Sequence, residues 1–298
     1  MTKRAFLLTV AYDGTDYFGW QRQPREISVQ QRLEEALTEV TGETGIRAFA
    51  SSRTDTGVHA IGQAVVVKTE HWNADAENLP FALNTKLPLD IVARDAVEVN
   101  LAMHPLRHSQ WKRYRYKIYR SRKEDPINAR THWWVRRRVN LDAMREAAKH
   151  LVGEHDFMSF QTTGSPRSTT VRTVRRLEIE SREHMDGVMY TIHIEANGFL
   201  YNMVRNIAGT LIQVGVGRDK PDWIPQVLKA YDRRVAGATA PPQGLCLMQV
   251  YMNPAFLDPN SNPEVAEDQR YSPRDKTESP RGQSESPQNQ TPQDSPLE

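Results

Sequence analysis

β-rich runs alternate with amphipathic helical segments over most of this chain, and that alternation limits the folds it can adopt. In the first third, the β-rich runs are bounded by turn signals and lie at residues 5–14, 46–52, 62–70 and 90–99. Helical segments at 28–42 and 75–84 separate them. Ser28 and Gln31 have the spacing of a capping box, and Gly42 follows the last turn of that first helix. The predicted order is β-α-β-β-α-β.

A similar order of elements follows. Strands are predicted at 113–120, 169–183, 188–198 and 245–252, and helices at 140–153, 199–217 and 221–232. Asn140 is expected to open the first of these helices and Gly153 to close it. We therefore predict an α+β fold of two ferredoxin-like halves, residues 1–105 and 106–257, with mainly antiparallel sheets that lie side by side.

The composition changes at residue 258. Segment 258–298 is rich in Pro, Ser, Gln and Asn and has almost no large apolar side chains, which predicts a disordered tail. It carries nine acidic and four basic side chains, a net charge of −5. Subtracting this from the net charge of +2 for the whole chain leaves about +7 on residues 1–257.

The basic side chains of the folded part are clustered among aromatic ones. The clusters lie at residues 111–123 and 133–139, and a third, basic but not aromatic, lies at 167–176. Cations interleaved with rings that can stack on bases are typical of surfaces that bind RNA or single strands. Each cluster alone is also compatible with the solvated face of a strand.

Several classes of protein are excluded by what the sequence lacks. It has no phosphate-binding loop, dinucleotide fingerprint, HExxH zinc motif or GxSxG nucleophile motif. No apolar run approaches the roughly 20 residues of a membrane-spanning helix, and the first residues do not resemble a signal peptide. The lone Cys246 excludes an internal disulfide framework. We expect a cytoplasmic protein without nicotinamide or zinc chemistry, in which any catalysis would have to come from side chains alone.

One loop, SSRTDTGVHA at residues 51–60, is a candidate for that chemistry. It places Arg53 and Asp55 between two predicted strands, and Gly57 permits a tight turn. Asp55 is a candidate nucleophile or base. The loop taken alone favours a structural role, in which the Asp55 carboxylate caps the turn by accepting backbone N–H bonds.

Two further candidates lie far from this loop in the sequence. Arg205 lies in the middle of the apolar helix predicted at 199–217, where a guanidinium requires a partner. That partner is Asp55 or another acid such as Glu195, unless Arg205 lies on an exposed edge of the helix. Tyr114 and Tyr116 share one face of a predicted strand. Tyr114 is therefore either a base-stacking residue or, like Tyr116, part of the core.

A series of motifs resembles a known family over roughly residues 5–253. The stretches are YDGTDYFGWQRQP (12–24), SVQQRLEEAL (28–37), RTDTGVHAIGQ (53–63), ALNTKLPLDI (82–91), KRYRY (112–116), LVGEHDFMSF (151–160), NGFLYNMVRNIAGTL (197–211) and GLCL (244–247). In content and order they are similar to the bacterial tRNA pseudouridine synthase A family. At residues 103–106 the chain departs from it, with MHPL where the family usually has Phe-His-Ala-Arg.

The resemblance implies a specific activity. The family isomerises uridines at tRNA positions 38 to 40, in the anticodon stem-loop, to pseudouridine, as a homodimer without cofactor or metal. By motif position it implies that Asp55 is the catalytic aspartate, Tyr114 the substrate-contacting tyrosine, Arg53 the loop arginine and Arg205 the arginine paired with the aspartate. Two other functions fit the residues: a non-catalytic RNA-binding protein of ferredoxin-like modules, and an RNA hydrolase with Asp55 as general base.

Overall fold

A computed structural model describes residues 2–162 and 169–262. The strands are β1 (Arg4–Tyr12), β2 (Ala48–Ala50), β3 (His59–Thr69), β4 (Ile91–Val99), β5 (Ser109–Arg120), β6 (Trp133–Val135), β7 (Gly153–Asp156), β8 (Val171–His184), β9 (Gly187–Ala196) and β10 (Leu245–Met252). The α-helices are α1 (Val29–Thr41), α2 (Asn78–Asn84), α3 (Leu141–Lys149), α4 (Met203–Gly215) and α5 (Ile224–Ala230). A mixed fold of helices and strands is thereby confirmed.

These strands form one sheet in the order β4-β1-β3-β10-β5-β9-β8-β7, with β2 paired to β3 and β6 paired to β5. All of these pairs are antiparallel except β3–β10 and β5–β6. The last strand, β10, lies between β3 and β5, where Leu247 is opposite Ala60 on one side and Tyr114 on the other. It therefore places the start of β3, just after the Asp55 loop, one strand away from Tyr114.

Local capping signals determine where the helices begin. The Ser28 hydroxyl accepts a hydrogen bond from the Gln31 backbone N–H at the start of α1, and Asn140 caps α3 in the same way. Gly42 ends α1 with φ of 71°, in the left-handed region that favours glycine. The prediction that Gly153 closes α3 is wrong. The helix ends at Lys149, and the next few residues form a turn before Gly153 starts β7.

Helix α4 begins later than predicted. Asn202, the residue before it, has φ of 59°, so the right-handed helix cannot extend back through this position to residue 199. Asparagine tolerates this conformation better than other non-glycine residues. Consequently Arg205 lies in the first turn of α4, not in the middle of a longer helix.

The main apolar core is continuous across both halves of the chain. It contains buried residues of β1, β5 and all five α-helices, among them Leu8, Tyr116, Leu33, Leu79, Met144, Ile207 and Ile224. A smaller cluster on the other face of the sheet includes Val66, Val99 and Phe256. Residues just after β10 cover this face, and the Asn100 amide donates to the Ser261 carbonyl at 2.6 Å. Most of the predicted tail, residues 263–298, lies outside the described residues.

No α-helix in residues 2–162 and 169–262 is long and apolar enough to cross a membrane.

Candidate active site

An open cleft of about 2370 Å³ lies at the junction of the two halves of the sheet. All four residues singled out from the sequence line it: Arg53, Asp55, Tyr114 and Arg205. They come from one loop, one strand and one helix that are distant in sequence. The parallel pairing of β10 with β3 and its antiparallel pairing with β5 account for their proximity.

The loop that carries Asp55 is anchored on both sides of the carboxylate. The Gln63 side chain donates to the Ser52 carbonyl at 2.7 Å, and the hydroxyls of Tyr12 and Thr54 lie 2.7 Å apart. Each of these four side chains is at most 7% exposed. Buried hydrogen bonds of this kind are costly to break, so the loop is held in one position.

Backbone atoms form the turn itself. The Asp55 carbonyl accepts from the Val58 N–H at 3.1 Å, and Gly57 has φ of 75°. On the other side, the loop that contains Gly19 packs against the Thr54 carbonyl. A Cβ at Gly19 would lie 2.6 Å from that oxygen, so only glycine allows the two loops to approach so closely. Because the Asp55 carbonyl, and not its carboxylate, closes the turn, the carboxylate is available to face the cleft.

The partner of Arg205 is Asp55. The Nη1 atom lies 3.7 Å from Asp55 Oδ2, and the two side chains are 16% and 26% exposed. Glu195, the alternative partner, is paired with Arg113 at 2.9 Å instead. A separation of 3.7 Å is longer than a normal hydrogen bond, so the attraction is mainly Coulombic.

The environment of Asp55 raises the pKa of its carboxyl above the ordinary value. Burial is the largest cause, because it disfavours the charged form, and the positive charge of Arg205 opposes it in part. A carboxylate that is partly desolvated and still ionisable is typical of catalytic sites.

The orientation of the Arg205 guanidinium is set by two other groups. Its Nε donates to the Ala240 carbonyl at 2.8 Å, and its Nη1 donates to Asn202 Oδ1 at 2.9 Å. The Ala240 N–H in turn donates to the Arg205 carbonyl at 3.1 Å. These short contacts hold the guanidinium facing Asp55 without a close hydrogen bond between the two charges.

Tyr114 and Tyr116 lie on one face of β5, as predicted, but in different surroundings. Tyr116 is fully buried, and its hydroxyl donates to the Pro241 carbonyl at 2.7 Å. Tyr114 is 7% exposed, lines the cleft and packs edge-to-face on Phe199, with ring centroids 5.0 Å apart. Burial raises the pKa of the Tyr114 hydroxyl far above neutral pH, so the ring remains uncharged.

Arg53 is the most accessible of the four residues. It is exposed at the edge of the cleft, two positions before Asp55. No ion pair within residues 2–162 and 169–262 involves its guanidinium. An exposed guanidinium beside a reactive carboxylate is suited to contact an anionic substrate.

Several other residues that line the cleft were not predicted from the sequence. Phe49 is an exposed aromatic side chain on β2, and Lys112 donates to the Ser51 carbonyl at 2.6 Å. The exposure of Phe49 follows from strand alternation next to buried Ala48. The strand predicted at 46–52 contains Phe49, but nothing in its sequence indicates that the exposed ring lines a cleft. Among the described residues, no group of three or more His, Cys, Asp or Glu side chains is arranged to hold a metal ion.

Comparison with known proteins then identifies the reaction class. The model of a family described as tRNA pseudouridine synthase matches residues 8–106 and 147–253, more than half of the chain. The chain belongs to this family. Proteins named tRNA pseudouridine synthase A from Thermoanaerobacter sp. (strain X514), Geotalea daltonii and Geobacter sulfurreducens are 44%, 43% and 42% identical to it. Each alignment covers 83% of this chain and 99% of the relative.

Membership of the tRNA pseudouridine synthase family makes the protein an enzyme, a pseudouridine synthase. The non-catalytic RNA-binding function and the RNA hydrolase are therefore rejected. The resemblance that the sequence motifs indicated is confirmed.

Proposed function

We propose that the protein isomerises uridines at positions 38 to 40 in the anticodon stem-loop of tRNA to pseudouridine, with Asp55 as the catalytic carboxylate. The family supplies the class of reaction. The observation that supports this site above all is the Asp55 carboxylate, 3.7 Å from a held Arg205 in a cleft lined by Tyr114.

The chemistry explains why a carboxylate is suited to this position. The C1′–N1 bond of uridine breaks, the freed uracil turns, and C1′ joins to C5. The hydrogen at C5 is lost and N1 gains one, so the composition of the RNA does not change. A carboxylate can add to the substrate or remove a proton and then leave again. Three routes remain open: attack of Asp55 on C1′, addition to C6, or removal of a ribose proton.

Each of these routes requires Asp55 to be ionised. Burial raises the pKa of Asp55, and Arg205 limits that rise by favouring the charged form. We propose that Arg205 acts mainly by keeping the nucleophile or base ionised within a partly desolvated cleft. Because two hydrogen bonds to Asn202 and Ala240 hold it, little reorganisation is needed when the substrate binds.

Tyr114 and Arg53 are proposed to bind the substrate. The target base must leave the RNA stack to reach Asp55, and this costs a few kcal/mol. The Tyr114 ring, supported by Phe199, would pack on the uracil and keep it in place after the glycosidic bond breaks. Arg53 would hold a phosphate or occupy the space that the displaced base leaves.

We further propose a homodimer that works in the cytoplasm without metal or cofactor. The homodimer rests on the sequence resemblance, and the cytoplasmic location on the features of the sequence itself. The division into ferredoxin-like halves at residues 1–105 and 106–257, which we also propose, rests on the predicted order of strands and helices. The β-α-β-β-α-β order of β1 to β4 supports the first half, while β10 joins both halves into one sheet.

Asp55→Asn tests the catalytic assignment, because it keeps the shape of the side chain and removes the charge. We expect no detectable tritium release from tRNA transcripts that carry tritium at uracil C5, while the wild type releases it and leaves the RNA chain intact. The matched control is Asp95→Asn, which removes an exposed carboxylate on β4 outside the cleft. Release by Asp55→Asn at the wild-type rate would refute the assignment.

A further inference from the structure

Part of the cleft lies beyond the four residues that the proposed reaction uses. Phe49, on β2, projects a ring that is 48% exposed into this part. The strand leads directly into the loop that carries Asp55, six residues further along the chain. A fully extended segment of that length spans at most roughly 20 Å, so the ring lies within a few nucleotides of the reacting base.

His104 lies beside the Phe49 ring. The two ring centroids are 6.3 Å apart and the planes are tilted by 43°, so the rings are not stacked on each other. His104 Nδ1 accepts from the backbone N–H groups of Leu106 and Arg107 at 3.3 and 3.4 Å. An accepting Nδ1 carries no proton, so the neutral ring has its hydrogen on Nε2 and offers one donor there.

Three cationic side chains lie near these two rings. Burial and the charges of Arg107 and Lys68 lower the pKa of His104, so its ring is neutral at pH 7 while cations lie around it. Arg47, adjacent to β2, is exposed and also lines the cleft, and its guanidinium lies 3.6 Å from the buried Glu34 carboxylate. A neutral aromatic pair with cations nearby is suited to a base and its flanking phosphates, because bases stack on rings and phosphates attract cations.

We propose that Phe49, with the Nε2–H of His104 beside it, forms a stacking subsite for an unpaired nucleobase that neighbours the target uridine in the RNA strand. This subsite deepens the proposed function and rests on it. The ring of Phe49 supplies sequence-tolerant stacking, and the single histidine donor favours a base that presents an acceptor on its edge. The occupant is RNA, because the cleft that holds Phe49 also holds the catalytic carboxylate.

The test compares Phe49→Ala with Phe81→Ala, which removes another exposed phenylalanine from α2, away from the cleft. Equilibrium binding of an unmodified anticodon stem-loop transcript is measured for each. We expect Phe49→Ala to raise Kd roughly tenfold or more, as loss of one base–ring stack does. Phe81→Ala should bind like the wild type. Phe49→Trp should restore binding and Phe49→Leu should not, since only the former retains an aromatic face.

Abasic transcripts identify the base that stacks. With an abasic residue at each neighbour of the target uridine in turn, one position should weaken wild-type binding by a similar factor. At that position Phe49→Ala should add no further loss. Two results would overturn the subsite. In one, Phe49→Ala weakens the binding of every transcript by the same factor. In the other, Phe49→Ala binds the unmodified transcript as tightly as Phe81→Ala does. Tritium release by the wild type is measured in parallel. Its absence, with the binding effects retained, would refute the proposed reaction and leave the subsite supported.

Discussion

Replacement of Arg205 by methionine should shift the pH dependence of the reaction. The pKa of Asp55 is already raised by burial, and Arg205 is the charge that opposes the rise. A carboxylate needed in its ionised form loses activity as pH falls through its pKa. Removal of Arg205 raises that pKa further, so the loss of activity on the acid side should begin at a higher pH.

The magnitude follows from the separation of the charges. At 3.7 Å two unit charges attract by about 1 kcal/mol with the dielectric constant of water and by about 4 kcal/mol with an effective value of about 20. The side chains are only 16% and 26% exposed, so the upper part of this range applies, about 2 to 4 kcal/mol. At pH values well below the pKa of Asp55, the ionised fraction of Asp55 in Arg205→Met would therefore be roughly 30- to 1000-fold smaller than in the wild type.

The assay is tritium release at C5, from which kcat/KM is measured between about pH 5 and about pH 9. We expect the ratio of activity at acid pH to activity at alkaline pH to fall by roughly 30-fold or more in Arg205→Met, within the range above. Asn202→Gly should shift the profile in the same direction but less, because glycine keeps the left-handed backbone while the side-chain bonds to Arg205 and to the Thr162 hydroxyl are lost. Arg94→Met, on the exposed side of β4, is the control. A profile for Arg205→Met that overlays the wild type would refute the electrostatic role.

Substitutions at two other positions test the site and its support. Tyr114→Phe keeps the ring and should lower kcat less than tenfold. Tyr114→Leu should lower kcat by roughly one to two orders of magnitude, because stacking contributes about 1 to 3 kcal/mol. Equal losses of kcat in the two variants would contradict a stacking role. Gly209→Ala places a Cβ 1.8 Å from the Ala238 carbonyl oxygen and displaces the segment that holds Arg205. Urea unfolding should show a loss of about 1 to 3 kcal/mol, and an unchanged midpoint would contradict this packing.

Local signals in the sequence predicted much of the secondary structure. Ser28 and Asn140 cap their helices as expected, because a cap depends on residues within one turn. The alternation around Tyr114 and Tyr116 predicted that the two rings share one face of β5, and the structure shows that this face is buried. Short strands such as β6 and β7 were missed, since three or four residues do not establish a period.

Long-range pairing was beyond the sequence pattern. Nothing in LCLMQVYM indicates that β10 inserts between β3 and β5, because the register depends on partners more than 100 residues away. The start of α4 was misplaced because propensity does not reveal that Asn202 adopts a left-handed conformation.

The candidate site was predicted in its residues but not in its geometry. The motifs singled out Asp55 and Arg205, yet the residues alone left Glu195 as an equal partner for the arginine. Only the structure shows Glu195 occupied by Arg113. Phe49 gave no motif signal, and its place in the cleft follows from the tertiary structure alone.

The central claim is that this protein forms pseudouridine at tRNA positions 38 to 40 through Asp55. A pseudouridine map of tRNA from cells that lack the protein, compared with cells that express the wild type or Asp55→Asn, tests it most directly. We expect pseudouridine at these positions to disappear without the protein, to return with the wild type and to stay absent with Asp55→Asn. Unchanged modification in cells that lack the protein, or restoration by Asp55→Asn, would contradict the claim.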